Sequence, residues 1–384
     1  MTPVDTHICL VSSQPLPNLL PLLDPGMGIR RVILMVSADM QTRAEWLQSV
    51  IRQRNIHTRV WNIGDAWDSD HIQTRMLELL DQESDSLRLG SIALNVTGGT
   101  KLMSIATYET ARAYGLPIFY VHPLQDEILW IQPGDRPSQA LANRIRIEPF
   151  LKAHGAMVQD TLKRNVPDIR ALELSRELVL NVKRFSKPFS TLNWLASQAS
   201  PPQFKVNLTQ NNPRLLEITD LFERQGYLNR EGETLRFPDE STRRFVNGGW
   251  IESFVFDQIR NIRDEKGLPI QDIAYAVDVE RIQRGQRIPN ELDVVFLLNN
   301  RLHIIECKTR RFHEPGENSK GAEALYKLDT LRELMGGLQA RAMLVSFQDL
   351  PTHDLTRAAD LHIKVCAGDD LKHLRQHLLD FMGH

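Results

Sequence analysis

The fold of the N-terminal part is decided by one stretch, Ile92-Ala93-Leu94-Asn95-Val96-Thr97-Gly98-Gly99-Thr100-Lys101. Four of its first five residues are apolar, which is typical of a strand that is covered on both faces. A paired-glycine turn follows, and Lys101 begins a segment with helical spacing that extends to Tyr114. A strand, a tight turn and a helix in this order predict one βα unit of a parallel sheet.

The same alternation continues in both directions from this stretch. Further strands are predicted at residues 7–12, 31–36, 58–62, 118–122 and 127–131, and further helices at 42–54 and 70–82. Strands that alternate with helices favour a doubly wound, Rossmann-like α/β domain. We expect this domain to span residues 1–145.

Residues 146–245 are predicted to be mainly helical. The helix at 213–225 ends at Gly226, and residues 227–237 form a small hairpin with a glycine turn. Helices followed by a hairpin indicate a winged-helix-like module. Such a module binds DNA in some proteins, and in others it connects domains or forms a dimer surface. Inside a longer chain we favour the connector.

Residues 246–384 are predicted to form a third domain of the α/β class. An amphipathic helix at 250–262 precedes two apolar strands, 292–298 and 302–307, which are joined by the tight turn Asn299-Asn300-Arg301. A helix at 323–335, strands at 342–347 and 362–366, and a last helix complete the pattern.

The composition is that of a soluble globular protein. The chain has 384 residues, of which 42% are hydrophobic and 24% charged, and this length suggests two or three domains. No apolar run reaches the roughly 20 residues that span a bilayer, and no signal peptide is recognised. We therefore expect a cytoplasmic protein that does not contact membranes.

Cysteine usage and net charge narrow the function classes. Cys9, Cys307 and Cys366 are far apart, offer no zinc spacing and suit a reduced cytosol, and we expect all three to be buried as small apolar residues. The net charge is −2, which argues against nonspecific nucleic-acid binding by the whole surface. A nucleic-acid site must be local or uncovered by a switch.

The strongest chemical signal lies on the two strands of the predicted C-terminal hairpin. Glu291-Leu292-Asp293 lies on the first strand, and Glu306-Cys307-Lys308 lies on the second. A hairpin can bring Asp293 and Glu306 to the same end of the sheet. Glu306 and Lys308 are two residues apart and share a face, whereas Cys307 points into the core.

Two carboxylates on adjacent strands form a hard oxygen site that suits Mg²⁺ or Mn²⁺. Such a metal polarises a phosphodiester and lowers the pKa of a bound water. Lys308 can orient or help deprotonate that water, and it can neutralise charge on phosphorus. Glu252, at the start of the preceding helix, could complete the ligand set. The alternative is a surface salt bridge, which is what most isolated E-x-K triplets form.

This arrangement over residues 250–350 resembles the PD-(D/E)xK nuclease superfamily. The usual Pro-Asp pair is replaced here by Glu-Leu-Asp. The resemblance implies a restriction-endonuclease-like domain in which Asp293 and Glu306 hold the metal and Lys308 assists the water. Its implication for Glu252 as a further catalytic residue and metal ligand is weaker.

Basic residues flank the predicted site. They are Arg281, Arg284 and Arg287 before the first strand, and Arg310, Arg311 and Lys320 after the second. They are either solvated charges or part of a surface for a polyanionic backbone. His313, Tyr326 and Lys327 could also approach the site.

The turn Thr97-Gly98-Gly99-Thr100-Lys101 favours phosphate. Glycines let the backbone approach a ligand, and helix N-terminal amides, hydroxyls and a lysine attract anions. The spacing matches neither a P-loop nor a dinucleotide fingerprint, so NTP hydrolysis and NAD chemistry are poorly supported. A simple strand-to-helix connection is the alternative.

Residues 95–103 closely resemble the signature of CARF domains, the CRISPR-associated Rossmann folds. The match extends to Ser12-Ser13-Gln14 after the first strand and Ser37-Ala38-Asp39 after the second. The resemblance implies a homodimer that binds a cyclic oligoadenylate across its two-fold axis. The implied contacts are Ser12, Ser13, Thr97, Gly98, Gly99, Thr100, Lys101 and Met103.

A CARF domain followed by a PD-(D/E)xK domain resembles the CARF nucleases of type III CRISPR systems. The resemblance implies an antiviral nuclease that cuts DNA, RNA or both when cyclic tetra-adenylate binds. The alternatives are a ligand-responsive transcription regulator that uses the winged helix and a constitutive repair or restriction nuclease. As in some CARF domains, the N-terminal domain could also cleave its own ligand.

Overall fold

The structure is a computed structural model that describes residues 4–142, 144–165, 168–208, 212–283, 286–311 and 320–383. It divides into two compact units. The first comprises Met1–Val158 and Glu280–Ile288, and the second comprises Gln159–Val279 and Pro289–His384.

The first unit alternates strands and helices from its beginning. Its elements are β1 (Thr6–Leu10), α1 (Leu16–Leu23), β2 (Arg31–Ser37), α2 (Gln41–Ile51), β3 (His57–Gly64), α3 (Ser69–Gln82), α4 (Ser84–Leu89), β4 (Ile92–Asn95), α5 (Lys101–Ala113), β5 (Ile118–His122), β6 (Glu127–Gln132), β7 (Gln139–Ala140), α6 (Ile147–Ala153) and β8 (Ala156–Val158). The predicted alternation is confirmed.

The sheet of the first unit has the strand order β3-β2-β1-β4-β5-β6-β7. Strands β1 to β5 are parallel, whereas β6 pairs antiparallel with β5 and β7 antiparallel with β6. Chain order reverses between β1 and β4, and ligands of such sheets bind at this position, beyond the carboxyl ends of the strands. The loops after β1 and β4 both lie at this edge.

Burial in the core of the first unit explains why its central strands are mainly apolar in sequence. All five residues of β1 are buried, as are the last six of β2 and all four of β4. One face of these strands packs with apolar side chains of α3 and α5, including Met76, Leu79 and Met103. Burial on both faces is typical of parallel sheets.

The second unit begins with helices and ends with an α/β region. Its elements are α7 (Ile169–Leu180), α8 (Val182–Gln198), β9 (Lys205–Asn207), α9 (Pro213–Arg224), β10 (Asn229–Glu231), β11 (Thr234–Arg236), α10 (Glu240–Arg244), α11 (Trp250–Lys266), β12 (Ile270–Gln283), β13 (Gln286–Leu298), β14 (Arg301–Lys308), α12 (Lys320–Gly336), β15 (Arg341–Ser346), α13 (Thr352–Asp360), β16 (Lys364–Ala367) and α14 (Leu374–Met382). Residues 280–288, in β12 and β13, belong to the first unit.

The middle helices carry a small antiparallel sheet with the order β10-β11-β9. This is the element order of a winged helix: α8, β9, α9, β10, β11. It agrees with the prediction from the helix and the hairpin with a glycine turn. Leu228 and Leu235 of the hairpin region are buried together with Phe222 of α9. The wing therefore packs on its helix rather than projecting alone.

The C-terminal strands of the second unit lie in the order β16-β15-β14-β13-β12. Strands β13 and β14 are antiparallel, and β15 and β16 run parallel to β14. Asn299 and Asn300 form the turn between β13 and β14, with φ angles of 50° and 54°. The side chain of Gln271 holds this turn, because it accepts the N–H of Asn300 and donates to its Oδ1, both at 2.7 Å.

Candidate functional site

Asp293 and Glu306 lie side by side on β13 and β14. The ladder pairs Val294 with Ile305, so Asp293 and Glu306 are the next residues on the two strands. The backbone N–H of Cys307 donates to Asp293 Oδ2 at 2.7 Å. Asp293 is 6% exposed and Glu306 1% exposed, so the two predicted carboxylates form one buried pair.

Two lysines approach this carboxylate pair. Lys308 Nζ lies 2.5 Å from Glu306 Oε1 and 3.6 Å from Asp293 Oδ2. Lys327 of α12 brings a second ammonium to 3.7 Å from the same Glu306 oxygen, and its side chain is 48% exposed. Because α12 packs on β14, the second lysine reaches the site from a different element.

Alternation along β14 explains this arrangement. Glu306 and Lys308 share one face of the strand, whereas Cys307 lies with Ile305 in the apolar core on the other face. Cys307 is 6% exposed, which confirms the prediction that it points inward. Its neighbours are thereby held at the polar end of an otherwise apolar strand.

The electrostatics of the site are those of crowded carboxylates. Burial, followed by the charge of Glu306, raises the pKa of Asp293 to about 7. Burial and the charge of Asp293 raise the pKa of Glu252, on α11, well above its usual value. Both rises follow first from the burial of the carboxylates and then from their mutual repulsion.

Lys308 has the opposite environment. Burial alone would lower the pKa of its ammonium, but Asp293 and Glu306 together raise the pKa above its usual value. The lysine is therefore a cation in this arrangement. An ammonium at this position can stabilise negative charge on a phosphodiester.

The donor set fits a hard divalent cation. Glu306 Oε2 is buried and has no hydrogen-bond partner among the residues that the structure describes. A buried carboxylate oxygen normally has a donor or a cation beside it. Among the same residues, no cluster of three or more His, Cys, Asp or Glu side chains is close enough to hold a metal ion. The fit therefore rests on Asp293 and Glu306, without Glu252 as a third ligand in this conformation.

The predicted basic residues that the structure describes are divided between the two units. Arg281 and Arg287 lie within β12 and β13, which corrects the expectation that they precede the first strand. Both fall in the segment that belongs to the first unit, where Arg287 pairs with Glu280 at 3.3 Å. Arg284 lies outside the described residues.

The residues after β14 differ in their surroundings. Arg310 is exposed, and Arg311 donates to the carbonyl oxygen of Lys187 at 3.3 Å. Lys320 begins α12 and is exposed. Tyr326 is 54% exposed, with the Arg357 guanidinium 5.7 Å from its ring centroid. His313 lies outside the described part of the chain.

The second candidate site is the turn between β4 and α5 in the first unit. Gly98 lies against the end of β1, so that a Cβ there would be 2.0 Å from the Leu10 carbonyl oxygen. Gly99 has a φ of 76°, in the left-handed region that favours glycine. Both glycines are therefore needed by the turn itself, whatever ligand it binds.

The two threonine hydroxyls hold the turn in place. Thr97 Oγ1 donates to Asn95 Oδ1 at 2.6 Å and accepts the N–H of Val121 at 2.8 Å. Thr100 Oγ1 donates to the carbonyl oxygen of Ala66 at 3.0 Å and caps α5 by accepting the N–H of Met103 at 3.1 Å. Each hydroxyl has only one lone pair left for a ligand.

The remaining predicted contacts vary in exposure. Lys101 is exposed at the first position of α5, Ser13 is exposed and Ser12 is half-buried. Ser12 Oγ accepts the N–H of Gln14 at 3.2 Å, which shapes the loop after β1. Met103 is 1% exposed and packs in the core beside Gly99.

Comparison with known proteins identifies both parts of the chain. The Card1 CARF domain family matches residues 6–150, and the Card1-like endonuclease domain family matches residues 239–384. The solved structure of protein VC1899 from Vibrio cholerae is 31% identical, with 98% of each chain covered and a TM-score of 0.88. The chain belongs to the Card1-like family. It is a nuclease that carries a CARF domain.

Two further solved structures are similar to this Card1-like chain. Can2 from Sulfobacillus thermosulfidooxidans, solved in complex with cyclic tetra-adenylate, is 25% identical, with 98% of this chain and 99% of that chain covered and a TM-score of 0.80. A type III CRISPR defence DNA nuclease activated by cyclic oligoadenylate is 18% identical, with coverages of 89% and 45% and a TM-score of 0.55, and it shares the fold alone. No curated protein matches the chain.

Two asparagines without a role in the sequence-based predictions hold the turn between β4 and α5 of the Card1-like chain. Asn18 donates to the Leu10 carbonyl oxygen at 2.7 Å, and Asn95 donates to Asn18 Oδ1 at 3.2 Å. Both are buried, with 1% and 0% exposure. Asparagines in such apolar surroundings are the one sequence signal that could have indicated them.

The described helices of the Card1-like chain include none that is long and apolar enough to cross a membrane. The three cysteines are free and buried, as predicted.

Proposed function

We propose that this chain is a metal-dependent endonuclease of DNA or RNA that a cyclic oligoadenylate, cyclic tetra-adenylate in the first place, switches on in antiviral defence. The observation that carries the proposal is the buried pair Asp293 and Glu306, with the Lys308 ammonium beside it, within a Card1-like endonuclease domain. A CARF domain in the same chain supports control by a ligand.

In this proposal Asp293 and Glu306 would hold Mg²⁺ or Mn²⁺, and Glu252, which senses the charge of both, would be a further ligand. The metal supplies a polarised phosphodiester and a bound water of lowered pKa. Lys308, whose ammonium lies 2.5 Å from Glu306 Oε1, is placed to neutralise charge that develops on phosphorus. Lys327 approaches the same carboxylate and contributes a second positive charge on the side of α12.

The ligand site that we propose lies at the carboxyl edge of the first sheet. Backbone amides of Gly98, Gly99 and Thr100, together with Lys101 at the start of α5, favour phosphate groups there. Ser12, Ser13 and Thr97 flank the same position, and Met103 supports the turn from below. The complex of Can2 with cyclic tetra-adenylate is the reason for choosing this ring.

We also propose that the chain works as a homodimer in the cytoplasm. A four-membered adenylate ring has two-fold symmetry, which suits a ligand shared by two copies. Three functional segments follow from this proposal: ligand sensing in 1–145, connection in 146–245 and cutting in 246–384. Ligand binding then shifts the population toward an active arrangement of the cutting segments.

The experiment is cleavage of supercoiled plasmid, single-stranded DNA and single-stranded RNA with Mn²⁺, with and without cyclic tetra-adenylate. We expect cutting only with the ligand, and loss of cutting with EDTA. Cutting without the ligand would keep the nuclease and remove the switch. Tight ligand binding without any cutting would favour a ligand-responsive DNA-binding regulator.

Metal binding is tested separately by Mn²⁺ titration calorimetry of the wild type and of Glu306→Gln. The substitution removes a charge at the carboxylate whose Oε2 has no partner among the described side chains and backbone groups. We expect at least about tenfold weaker Mn²⁺ binding in the variant, because a metal loses one of two carboxylates. Equal binding in both proteins would contradict the assignment of the metal site.

A further inference from the structure

Trp67 is the most exposed aromatic side chain in the described part of the chain. Its side chain is 74% exposed, compared with 54% for Tyr114 and Tyr326 and 51% for Trp194. A tryptophan is large and apolar, so leaving most of its surface in water is unfavourable unless a partner covers it. Trp67 lies between β3 and α3, at the carboxyl edge of the first sheet.

The backbone on both sides of Trp67 is held firmly. The N–H of Trp67 donates to Asp65 Oδ1 at 2.8 Å. Asp68 caps α3 by accepting the N–H groups of Asp70 and His71, both at 3.1 Å. The indole is therefore presented by a fixed loop, and a ligand that contacts it loses little entropy in ordering the protein.

The loop of Trp67 touches the proposed ligand turn directly. The carbonyl oxygen of Ala66 accepts the hydroxyl of Thr100 at 3.0 Å, and Thr100 is the N-cap of α5. Helices α3 and α5 pack side by side, and this bond joins the loop before α3 to the N-cap of α5. Trp67 is the next residue in the chain after Ala66, which contacts the end of the turn. Both therefore lie at the same edge of the sheet.

Charge separates the two parts of this edge. Asp65, Asp68 and Asp70 surround Trp67 in sequence, whereas Lys101 and the amides of the turn lie at the start of α5. Phosphates are repelled by the three carboxylates and attracted to the lysine and the helix N-terminus. The uncharged part of a nucleotide, its base, is the part that suits the tryptophan side.

We propose that Trp67 binds a purine base of the ligand by stacking its indole on the base, while the adjoining turn binds phosphate. The inference rests on the proposed function, since it adds a base contact to that same ligand site. Because stacking on an aromatic ring suits any base, Trp67 contributes affinity and little selectivity. Selection of the ring size and of the phosphate positions comes from the turn.

The experiment is calorimetric titration of the full chain with cyclic tetra-adenylate, using the wild type, Trp67→Ala, Trp67→Phe and Trp194→Ala. Removing one base stack should weaken binding by about five- to 150-fold in Trp67→Ala. Trp67→Phe should retain much of the affinity, because phenylalanine also stacks. Trp194→Ala is the control, since that tryptophan is exposed on α8 in the second unit.

Intrinsic fluorescence is the second readout. The ligand should quench the emission of the wild type, and the quenching should be largely lost in Trp67→Phe, which still binds. Sedimentation of each variant without ligand accompanies the titrations. It distinguishes a base contact from a contact between two copies of the chain.

Three results would overturn the inference. If the wild type binds and Trp67→Ala binds equally tightly, the base contact is absent and the proposed function stands. If Trp67→Ala changes the oligomeric state without ligand, the indole is a contact between copies. If the wild type does not bind cyclic tetra-adenylate, the proposed function is wrong, and the base contact is wrong as well.

Discussion

Asp293 is tied to the neighbouring strand by the backbone of Cys307, whose N–H donates to Asp293 Oδ2 at 2.7 Å. The two residues that flank Cys307 are Glu306 and Lys308, so a main-chain bond sets the distance of the aspartate from both. A main-chain donor cannot rotate away as a side chain can. The carboxylate pair is consequently built into the sheet rather than held by a loop.

Replacing Lys308 by alanine should abolish cutting and leave ligand binding intact. The ammonium lies 2.5 Å from Glu306, and no second group on β14 can take its place. We expect cleavage to fall by about a hundredfold or more, the usual effect of removing a preorganised charge from an active site. Plasmid cleavage and cyclic tetra-adenylate titration check this. Lys364→Ala, at an exposed lysine of β16, is the matched control. Cutting within a few fold of the wild type would reject the assignment.

Replacing Lys327 by methionine should weaken cutting less than the loss of Lys308. Its ammonium is more distant, at 3.7 Å from Glu306, and its side chain is 48% exposed. Loss of one charged contact to a polyanion should raise KM by about tenfold. The slope of log KM against the logarithm of the salt concentration should fall by about one, the contribution of one phosphate contact. Lys327→Arg should restore both. A lower kcat at unchanged KM would instead assign this lysine to the chemical step.

Replacing Gly98 by alanine should disturb the ligand turn. The new methyl carbon would lie 2.0 Å from the Leu10 carbonyl oxygen, and this backbone atom cannot move aside as the end of a flexible side chain can. We expect a loss of about 2 kcal/mol in the free energy of unfolding and weaker activation by the ligand. Thermal unfolding and ligand titration measure the two effects. The control is Gly134→Ala, where the nearest atom lies at 3.6 Å. Unchanged stability and activation would contradict the tight approach.

His303 predicts a dependence of stability on pH. Burial lowers its pKa to about 3, and it stacks on Phe296 with ring centroids 4.5 Å apart. The unfolded chain takes up a proton below its pKa of about 6.5 and the folded chain does not, so stability falls as pH drops from 6.5 toward 3. At pH 5 this loss is about 2 kcal/mol for one histidine.

His303→Phe removes this titrating group and should reduce the stability difference between pH 7 and pH 5 by about that amount. Urea unfolding at both pH values provides the measurement, and the variant at pH 7 gives its own reference. The same difference in variant and wild type would show that the ring is protonated in the folded protein.

Much of the fold could be predicted because hydrophobic periodicity follows the sheet. The apolar sequences of β2 and β4 follow from burial on two faces of the sheet, and the spacing of α5 follows from burial of one face of the helix. Helix α1 was not predicted, since Pro17 and Pro21 interrupt its sequence and propensity disfavours it. Buried leucines such as Leu19 and Leu20 place it against the sheet nonetheless. Tertiary packing, which no local pattern reports, decides that segment.

The candidate sites show the same limit. Asp293, Glu306 and Lys308 could be predicted, because a hairpin and an alternating strand fix where their side chains point. Lys327 could be named only as a neighbour, since its approach depends on how α12 packs on β14. The hydroxyls of Thr97 and Thr100 were predicted to favour phosphate, and the structure shows that each also bonds to the protein itself. Composition alone does not distinguish these two uses.

The turn of Asn299 and Asn300 has a consequence for how this enzyme can vary over evolution. Two residues in left-handed conformation fix the pairing of β13 with β14, and Asp293 is opposite Glu306 only in that pairing. Insertion or deletion of a single residue that shifts this pairing by one position would put Asp293 and Glu306 on opposite faces of the sheet. Homologous nucleases that keep the carboxylate pair should therefore change length elsewhere and conserve the length of this short connection, although it lies six residues from the aspartate that it positions.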